Sequence, residues 1–306
     1  MTDTQNEVFK TPVNKIRLFE HGAPGSQNFK LTRKYYTEDM PDGRVKHIVQ
    51  NITDPDIVPY IPDGIGNSTD RQRIPAVLII PGGAFRRLVY NFEGEDVAKW
   101  LNSMGIAAFV LECRLPSDEH DNAEDVPLID AMRAMRVIRG RAQEFGIDEA
   151  KIGVMGFSAG GFMAALLSTA YESDVYADYK YKDEYDKLSA RPDFAVCSYP
   201  VISIDDCIEA GKRYMSEEQV LERISDSKAK ILHKYNPDKL VRPDMPPVFI
   251  CETDDDRTTL SENSVGFYMA ARKAGVSAEL HIFRTGGHGY GCGDDFAQTG
   301  GWEVLF

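Results

Sequence analysis

The chain has 306 residues and a formal net charge of −13, which argues against a nucleic-acid or anionic-membrane surface as its main purpose, since both need a basic face. With 42% hydrophobic and 27% charged residues, it has the composition of a folded globular protein long enough for one large α/β domain. Five cysteines without C-x-x-C spacing suit neither a disulfide framework nor a zinc site, and Cys113, Cys197 and Cys251 lie in apolar runs that read as buried thiols.

Residues 1–43 are polar and read as an irregular N-terminal arm. The opening MTDTQNEVFKTPVNK has no apolar leader core and no segment reaches transmembrane length, so a cytoplasmic chain is expected, unless a leader has been removed. Val45–Gln50 and Ile57–Ile61 read as early strands, followed by a Gly-, Asn- and Asp-rich loop over 62–73. Ala76–Ile80 is a continuous apolar strand of the kind buried on both faces, and it ends in Pro81-Gly82-Gly83-Ala84. A helix is predicted over Phe92–Met104 with Gly105 at its C-terminal end, then a strand over Ile106–Cys113. Apolar residues at helical spacing predict one long helix over Asp125–Phe145, closed by Gly146.

Lys151–Gly156 is the next strand, and a helix opens at Ser158. Phe194–Tyr199, Val248–Glu252 and Ala278–Phe283 are three further strands, with a helix over Ser261–Lys273 between the last two. Strands alternating with helices mean a mainly parallel sheet, here of eight strands in a single domain over 1–306. Two stretches break the alternation: 171–190, dense in tyrosine and charge, and 203–240, polar with a helical pattern. Both read as excursions above the sheet, either solvated helices or a small cap whose tyrosines line a substrate cleft. The final Glu303-Val304-Leu305-Phe306 reads either as a protease-site remnant or as the start of a native last helix.

The chemistry centres on Gly156-Phe157-Ser158-Ala159-Gly160, a G-x-S-x-G motif set between a strand and a helix. That turn lifts a serine hydroxyl off a sheet edge and places the Ala159 amide at a helix N-terminus, where negative charge is favoured. Ser158 therefore reads as the nucleophile of an acyl-transfer enzyme. A serine hydroxyl needs a base in hydrogen-bond reach and a group that orients the base. Downstream, one strand runs into Thr253-Asp254-Asp255-Asp256, and the next runs into Gly286-Gly287-His288-Gly289. Both lie at C-terminal strand ends, where open α/β sheets place their sites, and they follow the order Ser, Asp, His. His288 is the expected base. Asp256 is the preferred acid, with Asp255 second. The acidic run lacks the spacing of a calcium loop. His281 falls inside a strand and is expected to point outward or pack. The Pro81–Ala84 turn offers the amides of Gly83 and Ala84, with that of Ala159, as an oxyanion hole, each such donor being worth about 3–4 kcal/mol.

Four segments together resemble the acetyl xylan esterase and feruloyl-esterase-like α/β-hydrolases. They are PGGAFRRLVYNFEGEDVAKWLNSMGIAAFVLECRLP, DAMRAMRVIRGRAQEFGIDEAKIGVMGFSAGG, SARPDFAVCSYPVIS and TDDDRTTLSENSVGFYMAARKAGVSAELHIFRTGGHGYG. The likeness runs from about residue 45 to 293. It implies a serine esterase that removes acetyl or other acyl groups from plant polysaccharide fragments. The nucleophile falls on Ser158, the base on His288 and the acid on Asp256. The expected partner is a small-molecule or oligosaccharide ester, with no metal, cofactor, nucleic acid or membrane. Two departures stand out: Ala84 replaces the usual third glycine, and Thr258 and Thr259 stand where valines are common. The alternatives are a prolyl-oligopeptidase-like serine peptidase and a non-catalytic hydrolase-fold binding protein. No repeats are present to build the propeller such peptidases carry.

Overall fold

The computed structural model describes residues 9, 13–29, 31–65, 73–118, 120–213, 215, 216, 218, 219 and 227–292. The tail at 303–306 and parts of the stretches 62–73 and 203–240 lie outside them.

The continuous apolar runs become the centre of an eight-stranded sheet. In spatial order the strands are β1 (Ile16–Arg17), β4 (Asp56–Tyr60), β7 (Ala107–Glu112), β5 (Ile74–Ile80), β8 (Ile147–Phe157), β9 (Ala195–Ser198), β10 (Val248–Thr253) and β11 (Ala278–Phe283). From β7 to β11 every pairing is parallel, and β4 runs antiparallel to both its neighbours. Residues Ala76–Ile80 and Ala107–Leu111 are at most 1% exposed, as strands covered by helices on both faces require. This is the mostly parallel eight-stranded α/β arrangement that the sequence predicts.

Helices join the strands. A π-helical turn, Asn91–Glu95, leads into α1 (Asp96–Ser103). The long helix predicted over 125–145 is two: α2 (Val126–Gly140) ends at Arg141, which leaves helical geometry at φ −104°, ψ 17°, and α3 (Ala142–Phe145) follows. Helix α4 (Ala159–Ala170) follows β8 and packs on α2. In the 203–240 stretch lie α5 (Ile204–Lys212) and α6 (Ser227–Lys234), and α7 (Ser261–Lys273) joins β10 to β11. Right-handed crossovers put α2, α4 and α7 on one face and α1 on the other, because only the β5–β7 connection runs backwards across the sheet.

The N-terminal arm departs from its irregular expectation. Ile16–Arg17 supplies the edge strand β1, and β2 (Lys34–Asp39) pairs with β3 (Val45–Gln50), which pairs with β6 (Leu88–Val89). This second, three-stranded sheet takes in the early strand at 45–50 and joins the segment just after Pro81–Ala84. Two buried arginines bind the arm to the main body. Arg114 holds Asp130 at 2.6 Å and the Ser26 hydroxyl at 2.8 Å, and Arg133 donates to the Leu18 carbonyl.

Asp118, in the turn after β7, accepts the Ile52 amide at 3.2 Å. Burial pushes its carboxyl up to about 6, against the pull of that bond. The folded pKa thus exceeds the unfolded value of about 4, so its contribution is complete below about 4 and is lost as pH rises through about 6. Asp118→Asn keeps an acceptor for Ile52. It is expected to stabilise the fold by about 1 kcal/mol at pH 8, after a discount for partial exposure, and to be neutral at pH 4. Thermal unfolding at the two pH values checks this; an equal shift at both would mean that charge burial is not the cause.

Candidate active site

The nucleophile position is built by a strained turn. Strand β8 ends at Phe157, and Ser158 adopts φ 53°, ψ −119°, a conformation rare for any residue but glycine, before α4 begins. Neighbouring glycines make the turn possible. A Cβ on Gly156 would lie 2.0 Å from the Gly160 carbonyl oxygen, and one on Gly160 would lie 2.0 Å from that of Ile80. The Ser158 amide donates to the Ser198 carbonyl of β9 at 3.0 Å, which fixes the turn against the next strand.

His288 comes from the loop after β11. Its Nε2 lies 2.8 Å from Ser158 Oγ, and its Nδ1 lies 2.6 Å from Asp256 Oδ2. Ser158 and Asp256 are 8% and 2% exposed. With Nδ1–H donating to Asp256, Nε2 is the nitrogen that can accept the serine proton. Asp256 is thoroughly engaged. Oδ1 accepts the amides of Thr258 and Thr259 at 2.7 and 3.0 Å, and Oδ2 also accepts the Thr259 hydroxyl at 2.9 Å. Burial pushes its carboxyl up, but the His288 hydrogen bond and charge, together with the two amides, hold it below the usual carboxylate range.

Asp255, the second choice for the acid, faces the other way. Its Oδ1 accepts the amides of Gly286 and Gly287 at 2.9 and 2.8 Å, so it anchors the loop that carries His288. Thr259 is a further residue that pattern reading did not bring into the site. Its hydroxyl donates to the Asp256 carboxylate at 2.9 Å, a bond that a valine side chain could not make.

The predicted oxyanion residues also converge. Strand β5 ends at Ile80, and the Pro81–Ala84 turn carries Gly83 at φ 137°, where a Cβ would meet the Arg87 carbonyl oxygen at 2.1 Å. Ala84 and Phe85 sit at φ 57° and 59°, a left-handed geometry costing about 1–2 kcal/mol per residue. The Gly82 amide is already committed to Glu93 Oε2 at 2.8 Å. Among the described residues, the amides of Gly83, Ala84 and Ala159 have no acceptor in the protein, so they can serve an incoming oxygen. Gly82, Phe85, Leu88, Leu115, Ala159 and Met163 border a narrow, largely apolar cleft at this point.

The other candidates lie apart. His281 is half-buried, stacks on Phe249 and bonds Glu279. The tyrosine-rich stretch packs along α2 and the arm: Arg133 pairs with Asp183 and Asp186, Arg136 bonds the Tyr176 hydroxyl, and Tyr179 donates to the Gly22 carbonyl. None of its tyrosines hydrogen-bonds Ser158, Asp256 or His288 among the described residues. From the 203–240 stretch, Lys234 and Tyr235 bond Asp125 at the start of α2, and α6 packs on the Pro116–Asp118 turn after β7. Cys113, Cys197 and Cys251 are buried free thiols.

The chain is similar to several known proteins. The BD-FAE family model matches residues 65–270. The acetylxylan esterase of Xylanibacter ruminicola is 31% identical over 223 residues, 72% of this chain and 42% of that protein. Endo-1,4-beta-xylanase B of Butyrivibrio fibrisolvens is 29% identical over 269 residues, 85% of this chain and 40% of its own. The chain thus spans about two-fifths of the length of these curated relatives. The crystal structure of the acetyl ester-xyloside bifunctional hydrolase from Caldicellulosiruptor lactoaceticus superposes with a TM-score of 0.70 at 34% identity, covering 95% of this chain and 93% of that one. Fold, matched span and identity lead to one conclusion: the chain is an α/β-hydrolase that belongs to the BD-FAE family.

Proposed function

We propose that the protein is a serine carboxylesterase that removes acyl groups, acetyl foremost, from carbohydrate esters such as xylan fragments. The observation that carries this reading is the hydrogen-bonded series Ser158–His288–Asp256 at 2.8 and 2.6 Å, beside amides without a protein acceptor at Gly83, Ala84 and Ala159. His288 Nε2 takes the Ser158 proton as Oγ attacks the ester carbonyl. The carbonyl oxygen gains negative charge and rests on the three amides. Collapse of the tetrahedral intermediate expels the sugar hydroxyl, to which His288 returns the proton. Water, deprotonated by His288, then attacks the acyl-enzyme and releases the acid. Asp256 holds the imidazole tautomer and stabilises the imidazolium. These steps call for no metal or organic cofactor.

The small cleft bordered by Ala159 and Gly82 supports a short acyl chain. The sugar side rests on likeness to the acetylxylan esterase and the acetyl ester-xyloside hydrolase. A substrate panel tests both parts. Acetate release from acetylated xylooligosaccharides is expected to exceed ferulate release from feruloylated ones by at least about tenfold in kcat/KM, the scale on which a pocket discriminates by size. Equal rates would overturn the acyl preference. Activity on aryl acetates alone would overturn the carbohydrate assignment.

A further inference from the structure

Glu93 is a fully buried acid that the reaction above leaves without a role. It sits in the π-helical turn Asn91–Glu95, where the Glu95 amide reaches back to the Tyr90 carbonyl at 2.8 Å. Single π-helical turns often mark functional positions, because the wider turn re-aims one side chain. Here Glu93 is 5% exposed, directly beneath the oxyanion turn. Its Oε2 accepts the Gly82 amide at 2.8 Å, and its Oε1 accepts the Tyr199 hydroxyl at 2.9 Å. The Tyr199 oxygen in turn accepts the Gly291 amide at 3.1 Å, three residues past His288.

Tyr199 reaches the rest of the site as well. Its ring stands edge-on to the His288 ring at 5.1 Å, and its carbonyl lies 3.3 Å from the Thr259 hydroxyl, whose hydrogen goes to the nearer Asp256 carboxylate. Its backbone is held at φ 37°, a strained value for a tyrosine. Three loops from three strand ends therefore meet on two buried side chains. Each hydrogen in the chain points toward Glu93: Gly291 N–H to Tyr199, Tyr199 O–H to Glu93, and Gly82 N–H to Glu93. That polarity suits a carboxylate, which only accepts.

From this convergence we infer that Glu93 is a positioning residue. Its carboxylate fixes the oxyanion turn against the His288 loop and places a second negative charge behind the imidazole. The inference rests on the serine-esterase reading. Burial pushes the Glu93 carboxyl up, while His288, the Tyr199 hydroxyl and the Gly82 amide pull it back down in part. The charge of Lys46, in β3, acts weakly on Glu93 in the same direction. His288 is faced by Asp256, Tyr199 and Glu93, and buried Glu252 of β10 lies behind Asp256. Loss of the Glu93 charge removes support for the imidazolium without touching Asp256.

The test is the rate at which a fluorophosphonate labels Ser158 across pH, in the whole chain and in the Glu93→Gln and Tyr199→Phe variants, with circular dichroism as the check on folding. Labelling reads the serine, its base and the oxyanion turn without assuming a substrate. Glu93→Gln is expected to slow labelling by about 30-fold, within the range for misplaced catalytic geometry. It should also move the acid limb of the rate profile to lower pH by about half a unit, because a charge favouring the protonated imidazole is gone. Tyr199→Phe keeps the charge and the Gly82 bond, so a loss of about threefold to tenfold with an unmoved limb is expected. A Glu93→Gln protein that labels at the parent rate with the same limb overturns the inference. So does a slowed rate with an unmoved limb, which a purely structural role would give. If the parent chain itself does not label, the serine-hydrolase reading falls first.

Discussion

Ser158→Ala is expected to lower hydrolysis of p-nitrophenyl acetate by a factor on the order of 10⁵ to 10⁶ and to leave the fold intact. The chemical part follows from the geometry. Among the described residues it is the Ser158 hydroxyl that stands 2.8 Å from His288 Nε2, and without it the base has no nucleophile to deprotonate. What remains is the small acceleration that the oxyanion amides and substrate binding give to water. The structural part follows from the backbone. The Ser158 amide bonds the Ser198 carbonyl, and the Ser158 carbonyl accepts the Phe162 amide, so the turn is held by groups that alanine retains. Ser158→Gly sharpens the point. At φ 53°, ψ −119°, glycine escapes a strain that serine and alanine both carry. The glycine variant is therefore expected to be as inactive as alanine yet more stable than it by about 1 kcal/mol. Kinetics and thermal unfolding of the pair check both claims. Full activity in Ser158→Ala would sink the esterase proposal, and equal stability would show that the turn is not strained.

The parts of the fold that were legible in the sequence are those fixed by one local pattern. Buried parallel strands have apolar neighbours on both faces, so β5, β7, β10 and the second half of β8 appear as apolar runs with recognisable ends, while the edge strand β11, AELHIF, alternates apolar and polar residues but ends as recognisably at a glycine-rich loop. The site is legible for the same reason: Gly83, Ser158, Asp256 and His288 each lie within a few residues of such an end. The second sheet is not legible in this way. Lys34–Asp39 is KYYTED, half-buried and without an apolar run, and it becomes a strand only because β3 and β6 arrive beside it from elsewhere in the chain. Glu93 was hidden by periodicity itself, since an ordinary helix over 92–104 gives no reason to single it out. It takes the π-helical turn to place that side chain under the oxyanion amides.

The three consecutive acids show where pattern ends and backbone geometry begins. Nothing in the run Asp254–Asp256 says which carboxylate turns inward. Asp256 does so because the chain doubles back, and its own carboxylate caps the amides of Thr258 and Thr259 while Asp255 is left facing Gly286 and Gly287. The two acids then have different work, and their amide variants should separate cleanly. In Asp256→Asn the side-chain carbonyl can still accept the threonine amides, which turns the amide nitrogen toward His288 Nδ1. That nitrogen must then accept rather than donate, so the proton moves to Nε2, where it blocks proton transfer from Ser158. The expected loss in kcat is about 10⁴-fold with little change in KM. Asp256→Asn also forfeits stability above the unfolded carboxylate value, because the folded carboxyl is held low. That difference shrinks as pH falls through the folded value. Asp255→Asn keeps a carbonyl for both glycine amides and removes only an exposed charge, so its kcat should stay within about threefold of the parent. Asp255→Ala frees the loop and should cost about tenfold to a hundredfold by letting His288 drift. Side-by-side kinetics of the three variants decide the matter. If Asp255→Asn falls as far as Asp256→Asn, the exposed acid takes part in the reaction and the assignment of Asp256 alone fails. If both asparagine variants lose little, neither orients the base.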